Sequence, residues 1–198
     1  MIYSAIPLGF LVLAQTICLI SGNLDLSVAA ITGFVGTTAG LYLISNSTFP
    51  HYLSILVPIS LGIICGIFNG LLIGPLGFNS FLVTLATQMV FLGGRFLVYK
   101  STISGKDLPR AYLLLGGDPI LAIVSFIIIL IFLYFFLNYI PYGIHLYACG
   151  ANPDAAFMMG INLKKYRFFA FTLSGLFAGL EDLIFQILLM SKKIVLNH

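Results

Sequence analysis

Three ionisable residues stand within long apolar runs: Arg95, Glu181 and Asp182. An ionised group near the centre of a bilayer costs about 2.5–3.5 kcal/mol on insertion scales. Such residues therefore face a protein interior or a wet cavity, and the chemistry open to them is a proton relay, an ion site or an interhelical ion pair. Glu181 and Asp182 are adjacent in mid-segment, so on a helix they point about 100° apart. Both cannot easily meet one partner, and at least one is expected to face a protein interior. An ion pair with Arg95, or a local break in the helix, is the structural alternative to a polar pathway. Arg95 lies close to the end of its run, where a long side chain can snorkel to the interface. Asp25 belongs to the polar block Ser21-Gly22-Asn23-Leu24-Asp25-Leu26-Ser27. Gly22 can break a helix there, and Asp25 or Ser27 could cap the next one.

Other chemistry finds no support. The chain has no GxxxxGK[ST], GxSxG, HExxH or GxGxxG, so no nucleotide, nucleophile or zinc motif is present. His51, His145 and His198 are far apart and sit in connections or at the terminus. Cys18 and Cys65 lie inside apolar runs and Cys149 in a polar connection, with no metal-knuckle or CxxC spacing. They read as small hydrophobes, and no disulfide is expected. The expectation is no catalytic residue, no metal and no cofactor, with any ATP bound by another chain. Nine scattered Lys and Arg and a net charge of +3 do not make the basic face that nucleic acid requires.

The elements that must carry these residues are apolar. Of 198 residues 60% are hydrophobic and 8% charged, and the mean hydropathy is +1.11. A soluble domain carries about 25% charged residues, so the solvent implied is lipid. A spanning helix needs about 20 mainly apolar residues. Six runs qualify, at about Ile2–Ile20, Leu24–Ile44, Leu53–Ile73, Phe81–Tyr99, Pro119–Ile140 and Phe168–Met190. They are long and non-alternating, which suits helices and not barrel strands. The fold expected is an all-α polytopic bundle of about six spanning helices, one domain over residues 1–198. No basic n-region precedes the first run, which does not look like a signal peptide. Lys100, Lys106 and Arg110 in one connection balance Lys164, Lys165 and Arg167 around another, so charge does not decide orientation.

Gly62, Gly66, Gly70 and Gly74 recur at every fourth place in the third run, with Gly36 and Gly40, and Gly175 and Gly179, repeating the step. Such spacing leaves a groove for a closely approaching helix, and tight bundle packing is favoured over a direct pathway role. The connection from Pro141 to Tyr166 is punctuated by Gly143 and Gly150. Within it Asn152-Pro153-Asp154 signals a helix start. A short helix is expected over Ala155-Ala156-Phe157-Met158-Met159, ended by Gly160. It would either dock a partner protein or lie on the membrane surface.

Several blocks resemble the ribose-type, simple-sugar ABC transporter permeases. Ser21 to Val28 is similar to their "GG-I-D-L-S-V-G" signature. Asn69-Gly70-Leu71-Leu72-Ile73, then Phe81 to Thr87, is similar to "NG-(L/V)-L-I … F-I-(V/A)-T-L-G", and Gly94-Arg95 falls where the family often has "RG". Tyr142-Gly143, Tyr147 to Asn152, Ala155-Ala156 and Gly160-Ile161-Asn162 follow "G-x-x-x-Y-A-x-G-x-N-x-x-A-A-x-x-x-G-I-N". Leu173 to Leu176, with Ala178 to Leu180, resembles "L-S-G-L-L-A-A-L".

The resemblance implies a permease subunit of the prokaryotic cell membrane. By it, Gly150, Asn152, Ala155, Ala156, Phe157, Gly160 and Ile161 form a cytoplasmic coupling helix that docks on an ATP-binding cassette ATPase subunit. Residues 100–118 would then lie outside. Other implied partners are a second permease copy, identical or different, an extracytoplasmic sugar-binding protein and a ribose-, galactose- or xylose-like sugar. Membrane lipid surrounds the bundle. The Asp25-Leu26-Ser27 block favours a sugar over the branched-chain amino acids of related permeases. The chain departs from the family in lacking a helix before Met1 and the Gly-rich loop and helices past the sixth span, as a chain truncated at both ends would. It also carries Glu181-Asp182 where small residues are usual, and Tyr142 or His145 where an Arg is usual. A stand-alone channel or ion-coupled carrier using Arg95, Glu181 and Asp182, and an inactive or regulatory truncated subunit, are the alternatives.

Overall fold

The computed structural model describes residues 2–46, 48–98 and 119–195. The connection with Lys100, Lys106 and Arg110, and His198, lie outside them. The described residues form α-helices and one short 3-10 turn, His51–Leu53, and contain no strand. In chain order the helices are α1 (Ile2–Ile20), α2 (Val28–Ser45), α3 (Leu56–Ile73), α4 (Ser80–Val98), α5 (Pro119–Tyr139), α6 (Pro141–Ala151), α7 (Pro153–Met158) and α8 (Leu163–Val195). By length and composition α2, α3, α4, α5 and the Leu163–Phe185 part of α8 can each cross a membrane. α1 is apolar over the shorter stretch Ala5–Ile20.

α8 is the central post. α3 runs antiparallel to it along a seam of glycines. A Cβ added at Gly62 would lie 2.3 Å from the Gly175 carbonyl oxygen, and one at Gly66 2.5 Å from that of Phe171. One at Gly74 would lie 2.5 Å from the Lys164 oxygen, and one at Gly179 2.5 Å from that of Pro58. Lipid provides no hydrophobic drive between helices, so close backbone packing is what holds such a seam. α1 also runs against α8, with the Cys18 thiol 3.9 Å from the Ala170 oxygen. α2 runs parallel to α8, its Thr32 hydroxyl reaching the Ala178 oxygen at 3.5 Å. α4 leans on α2 through Phe34 and Phe91, and α5 leans on α1 through Phe10 and Phe126. One end of the bundle, here the near end, holds the α1–α2 connection, the α3–α4 turn, α6, α7 and the start of α8.

Three expectations change. The second span starts at Val28, not Leu24, because residues 21–27 fold as a separate polar connection. The stretch expected as a loop from Pro141 is helical to Ala151, so Gly143 and Gly150 lie inside a helix and do not punctuate a loop. The short helix runs Pro153–Met158 with Asn152 at its N-cap and Pro153 in its first turn, as the Asn152-Pro153-Asp154 signal implies. The sixth span is unbroken from Leu163 to Val195, so no helix break accompanies Glu181 and Asp182; Glu181 stays near the middle of the helix, roughly 27 Å from its start.

Candidate functional site

Two features meet at the near end. The first is the turn that ends α1. Gly22 has φ +75°, a conformation glycine adopts without steric cost. Around it the Asn23 amide donates to the Cys18 oxygen (2.9 Å) and the Gly22 amide to the Leu19 oxygen (2.9 Å). This pair of bonds closes a Schellman C-cap and satisfies two of the orphan carbonyls of α1. Asn23 then turns its side-chain amide back to the Ser21 oxygen (2.9 Å).

The chain next enters a buried polar clasp. Asp25 Oδ1 accepts from the Ser27 amide (3.0 Å) and the Ser27 hydroxyl (2.6 Å). Asp25 Oδ2 accepts from the Ser174 hydroxyl of α8 (2.9 Å). Asn69 of α3 donates through Nδ2 to Ser27 Oγ (2.7 Å), and the Thr84 hydroxyl of α4 lies 3.4 Å from the Leu24 oxygen. One short connection is thus tied to α3, α4 and α8. Burial raises the Asp25 carboxyl from its ordinary value, against the lowering effect of the bonds from Ser27 and Ser174. Neither Asp25 nor Ser27 caps α2 through its side chain: Ser27 occupies the N-cap position with no side-chain cap bond. Its hydroxyl is committed to Asp25 instead. Leu26 is half-buried. Asn69 and Ser174 were not singled out as clasp residues from sequence, because their partners lie 42 and 149 positions away.

The second feature is the α6–α7 pair. Asn152 caps α7, its Oδ1 accepting from the Ala155 amide (3.0 Å), with Pro153 in the first turn. Pro at N1 has no amide to leave unsatisfied. The helix ends in a second Schellman turn. The Ile161 amide donates to the Ala156 oxygen (3.0 Å) and the Gly160 amide to the Phe157 oxygen (2.9 Å), with Gly160 at φ +78°. Ala156 is buried, whereas Phe157, Met158 and Met159 are 71%, 86% and 79% exposed. α6 is fixed to α8 by His145, whose Nδ1 lies 2.5 Å from the Tyr166 hydroxyl. Lys165 donates to the Tyr142 hydroxyl (3.2 Å). Tyr142 and His145 are the two residues at which the resemblance implies an arginine.

The two features touch. A Cβ on Gly150 of α6 would lie 2.0 Å from the Ile20 oxygen and 2.8 Å from the Gly22 nitrogen. A Cβ on Gly22 would lie 3.1 Å from the Gly150 Cα. The structure therefore brings Gly22 and Gly150 together backbone to backbone.

The intramembrane charges do not join this site. Glu181 and Asp182 are 3% and 1% exposed, so both are buried, although adjacent helical positions diverge. Three helices surround this part of α8, which lets both faces be covered. Glu181 Oε2 has no hydrogen-bond partner among the described residues. Arg95 is exposed and lays its side chain on Gly33 of α2, where a Cβ would meet its Nη1 at 2.9 Å. Cys18, Cys65 and Cys149 are buried and free. No group of three or more metal-ligating side chains occurs among the described residues.

Residues 1–186 match the family model described as branched-chain amino acid transport system / permease component. The fructose import permease protein of Rhizobium meliloti is 28% identical over 183 residues, covering 87% of this chain and 51% of that protein. The autoinducer 2 import system permease protein LsrD of Klebsiella pneumoniae is 29% identical, covering 90% of this chain and 56% of that protein. The corresponding LsrC protein of Yersinia pseudotuberculosis is 31% identical, covering 92% and 52%. The chain spans about half the length of the curated relatives it matches. No solved structure matches it.

Proposed function

The chain belongs to the family of branched-chain amino acid transport system permease components, a multi-pass protein of the bacterial inner membrane, and we propose that it acts as the permease subunit of an ABC importer for a simple sugar. The observation that carries this reading is α7. It is a capped helix with three large apolar side chains exposed at the near end, and α6 joins it to the turn that closes α1. An exposed Phe-Met-Met surface on a rigid support suits a groove in a partner protein.

In this reading the near end is cytoplasmic and the ATPase subunit grips α7. ATP binding would draw two such helices together and rock the bundle between outward and inward access. The chain itself makes and breaks no bonds. A second permease copy would complete the pathway, and an extracytoplasmic binding protein would deliver the sugar. The Asp25-Leu26-Ser27 block and the relative named for fructose support a sugar of the ribose, galactose or xylose kind. In this reading residues 1–198 belong to one permease domain.

The test is site-directed crosslinking. A cysteine at Ala155 or Phe157, both exposed, is expected to crosslink to the ATPase subunit encoded with it. Absence of any crosslink in an assembled, ATP-hydrolysing complex would remove the coupling role. An ion-coupled carrier draws on the partnerless Glu181 Oε2. Uptake driven by an ion gradient without ATPase would favour it.

A further inference from the structure

The near end carries a feature the coupling role does not use. An open groove runs between the end of α3 and the start of α8, lined by Leu71, Pro75, Asn162, Lys164, Lys165 and Phe168. Its floor is apolar and its rim is cationic. We propose that this groove binds an acidic glycerophospholipid, with the headgroup phosphate at Lys164 and Lys165 and an acyl chain along Leu71 and Phe168.

Three observations converge. The first is charge. Lys165 spends one N–H on the Tyr142 hydroxyl (3.2 Å) and lies 5.0 Å over that ring. Its ammonium keeps two further donors. Lys164 has no hydrogen-bond or ion-pair partner among the described residues, and Arg167 stands on the same first turns of α8. Among the described carboxylates Asp25, Glu181 and Asp182 are buried, leaving Asp154 of α7 as the exposed one. The face is net positive, and a phosphodiester is its complement.

The second is depth. α3 and α8 are both long and apolar enough to span, so their shared end lies at the level of lipid headgroups. The third is the apolar floor. Leu71 is exposed, and the turn beyond it also exposes Leu76 and Phe78. Free phosphate would gain nothing from these side chains, whereas a lipid fits both parts of the groove at once. The proposal rests on membrane placement alone and is independent of the transport reading.

The experiment uses the full chain purified in mild detergent, with phosphatidylglycerol or phosphatidylcholine of matched acyl chains added. Bound lipid is read by native mass spectrometry. Phosphatidylglycerol is expected to bind in preference to phosphatidylcholine. Lys164→Gln should weaken it about fivefold and the Lys164→Gln/Lys165→Gln pair about 25-fold, from the usual contribution of one lysine near an anionic surface. Arg95→Gln, away from the groove, should leave it unchanged. Three results would overturn the proposal. They are equal binding of the two lipids, undiminished phosphatidylglycerol binding by the double variant, or displacement by millimolar inorganic phosphate, which would assign the lysines to a free anion. A fourth overturning result, release of the lipid on adding the ATPase subunit, would assign them to a protein interface instead.

Discussion

Gly22 and Gly160 close two helices with the same pair of backbone bonds, in opposite surroundings. Each sits at positive φ, near +75° and +78°. Each lets the following amide reach back five residues to a carbonyl of the helix it ends. The turn at Gly22 is pressed against Gly150 and leads into the Asp25 clasp. A Cβ at Gly160 would meet nothing within 4 Å. The local chain chemistry chooses the turn, and the neighbours decide whether it becomes a fixed joint or a display. The joint holds α1 and α2 to the bundle. The display offers Phe157, Met158 and Met159 to whatever lies beyond it.

The sharpest way to break this contrast is to fill the joint. Gly150→Ala puts a methyl 2.0 Å from the Ile20 oxygen, a backbone atom that cannot rotate away. The expected loss is about 3 kcal/mol, at the upper range of overpacking, read from unfolding of the purified chain in detergent. Unchanged stability would mean that α6 does not bear on the end of α1. Asp25→Ala tests the clasp below it. It strands the Ser27 and Ser174 hydroxyls and should cost about 2–3 kcal/mol. Asp25→Asn keeps one accepting oxygen and should cost less. Equal losses would show that the carboxylate is not what the hydroxyls address.

Much of the fold was open to inspection in the sequence because lipid imposes one rule on the backbone. Long apolar runs must be helices, so the runs at about Ile2–Ile20 and Leu53–Ile73 follow from composition, and the structure has helices at Ile2–Ile20 and Leu56–Ile73. The seam was legible for a similar reason, since Gly62, Gly66, Gly70 and Gly74 repeat at the period of a helix face. The Asn152-Pro153 start and Gly160 stop of α7 are local signals, carried by neighbouring residues. The clasp was not legible. Asp25 shows itself as a polar residue near a break, but Asn69 and Ser174 look like ordinary polar residues of apolar helices. Only tertiary packing brings them to within 2.7–2.9 Å of their partners. The helix α6 was hidden by its own glycines: Gly143 and Gly150 argue for breaks, while packing against α5 and α1 holds them helical. A Cβ on Gly143 would lie 2.4 Å from the Phe136 oxygen, so these glycines serve close approach.

The two turns can be compared directly by one substitution. Gly160→Ala should cost about 1 kcal/mol, the strain of a side chain at positive φ, because open space surrounds it. Gly22→Ala adds to that strain a Cβ 3.1 Å from the Gly150 Cα, and should cost about 2 kcal/mol. Equal losses at the two positions would mean that the surroundings add nothing and that the joint is no tighter than the display.

The smallest expected effect on stability is the most informative about the display. Phe157 is 71% exposed, so truncating it removes little packing from this chain. Phe157→Ala should shift unfolding by no more than about 0.5 kcal/mol, as surface substitutions do. Capture of the ATPase subunit by the same variant should nonetheless fall, since a large aromatic at the centre of an interface is the kind of residue whose loss is felt there. A variant that unfolds early would show that Phe157 packs against its own chain. One that folds normally and still captures the ATPase at full strength would leave α7 without the docking role that its exposure suggests.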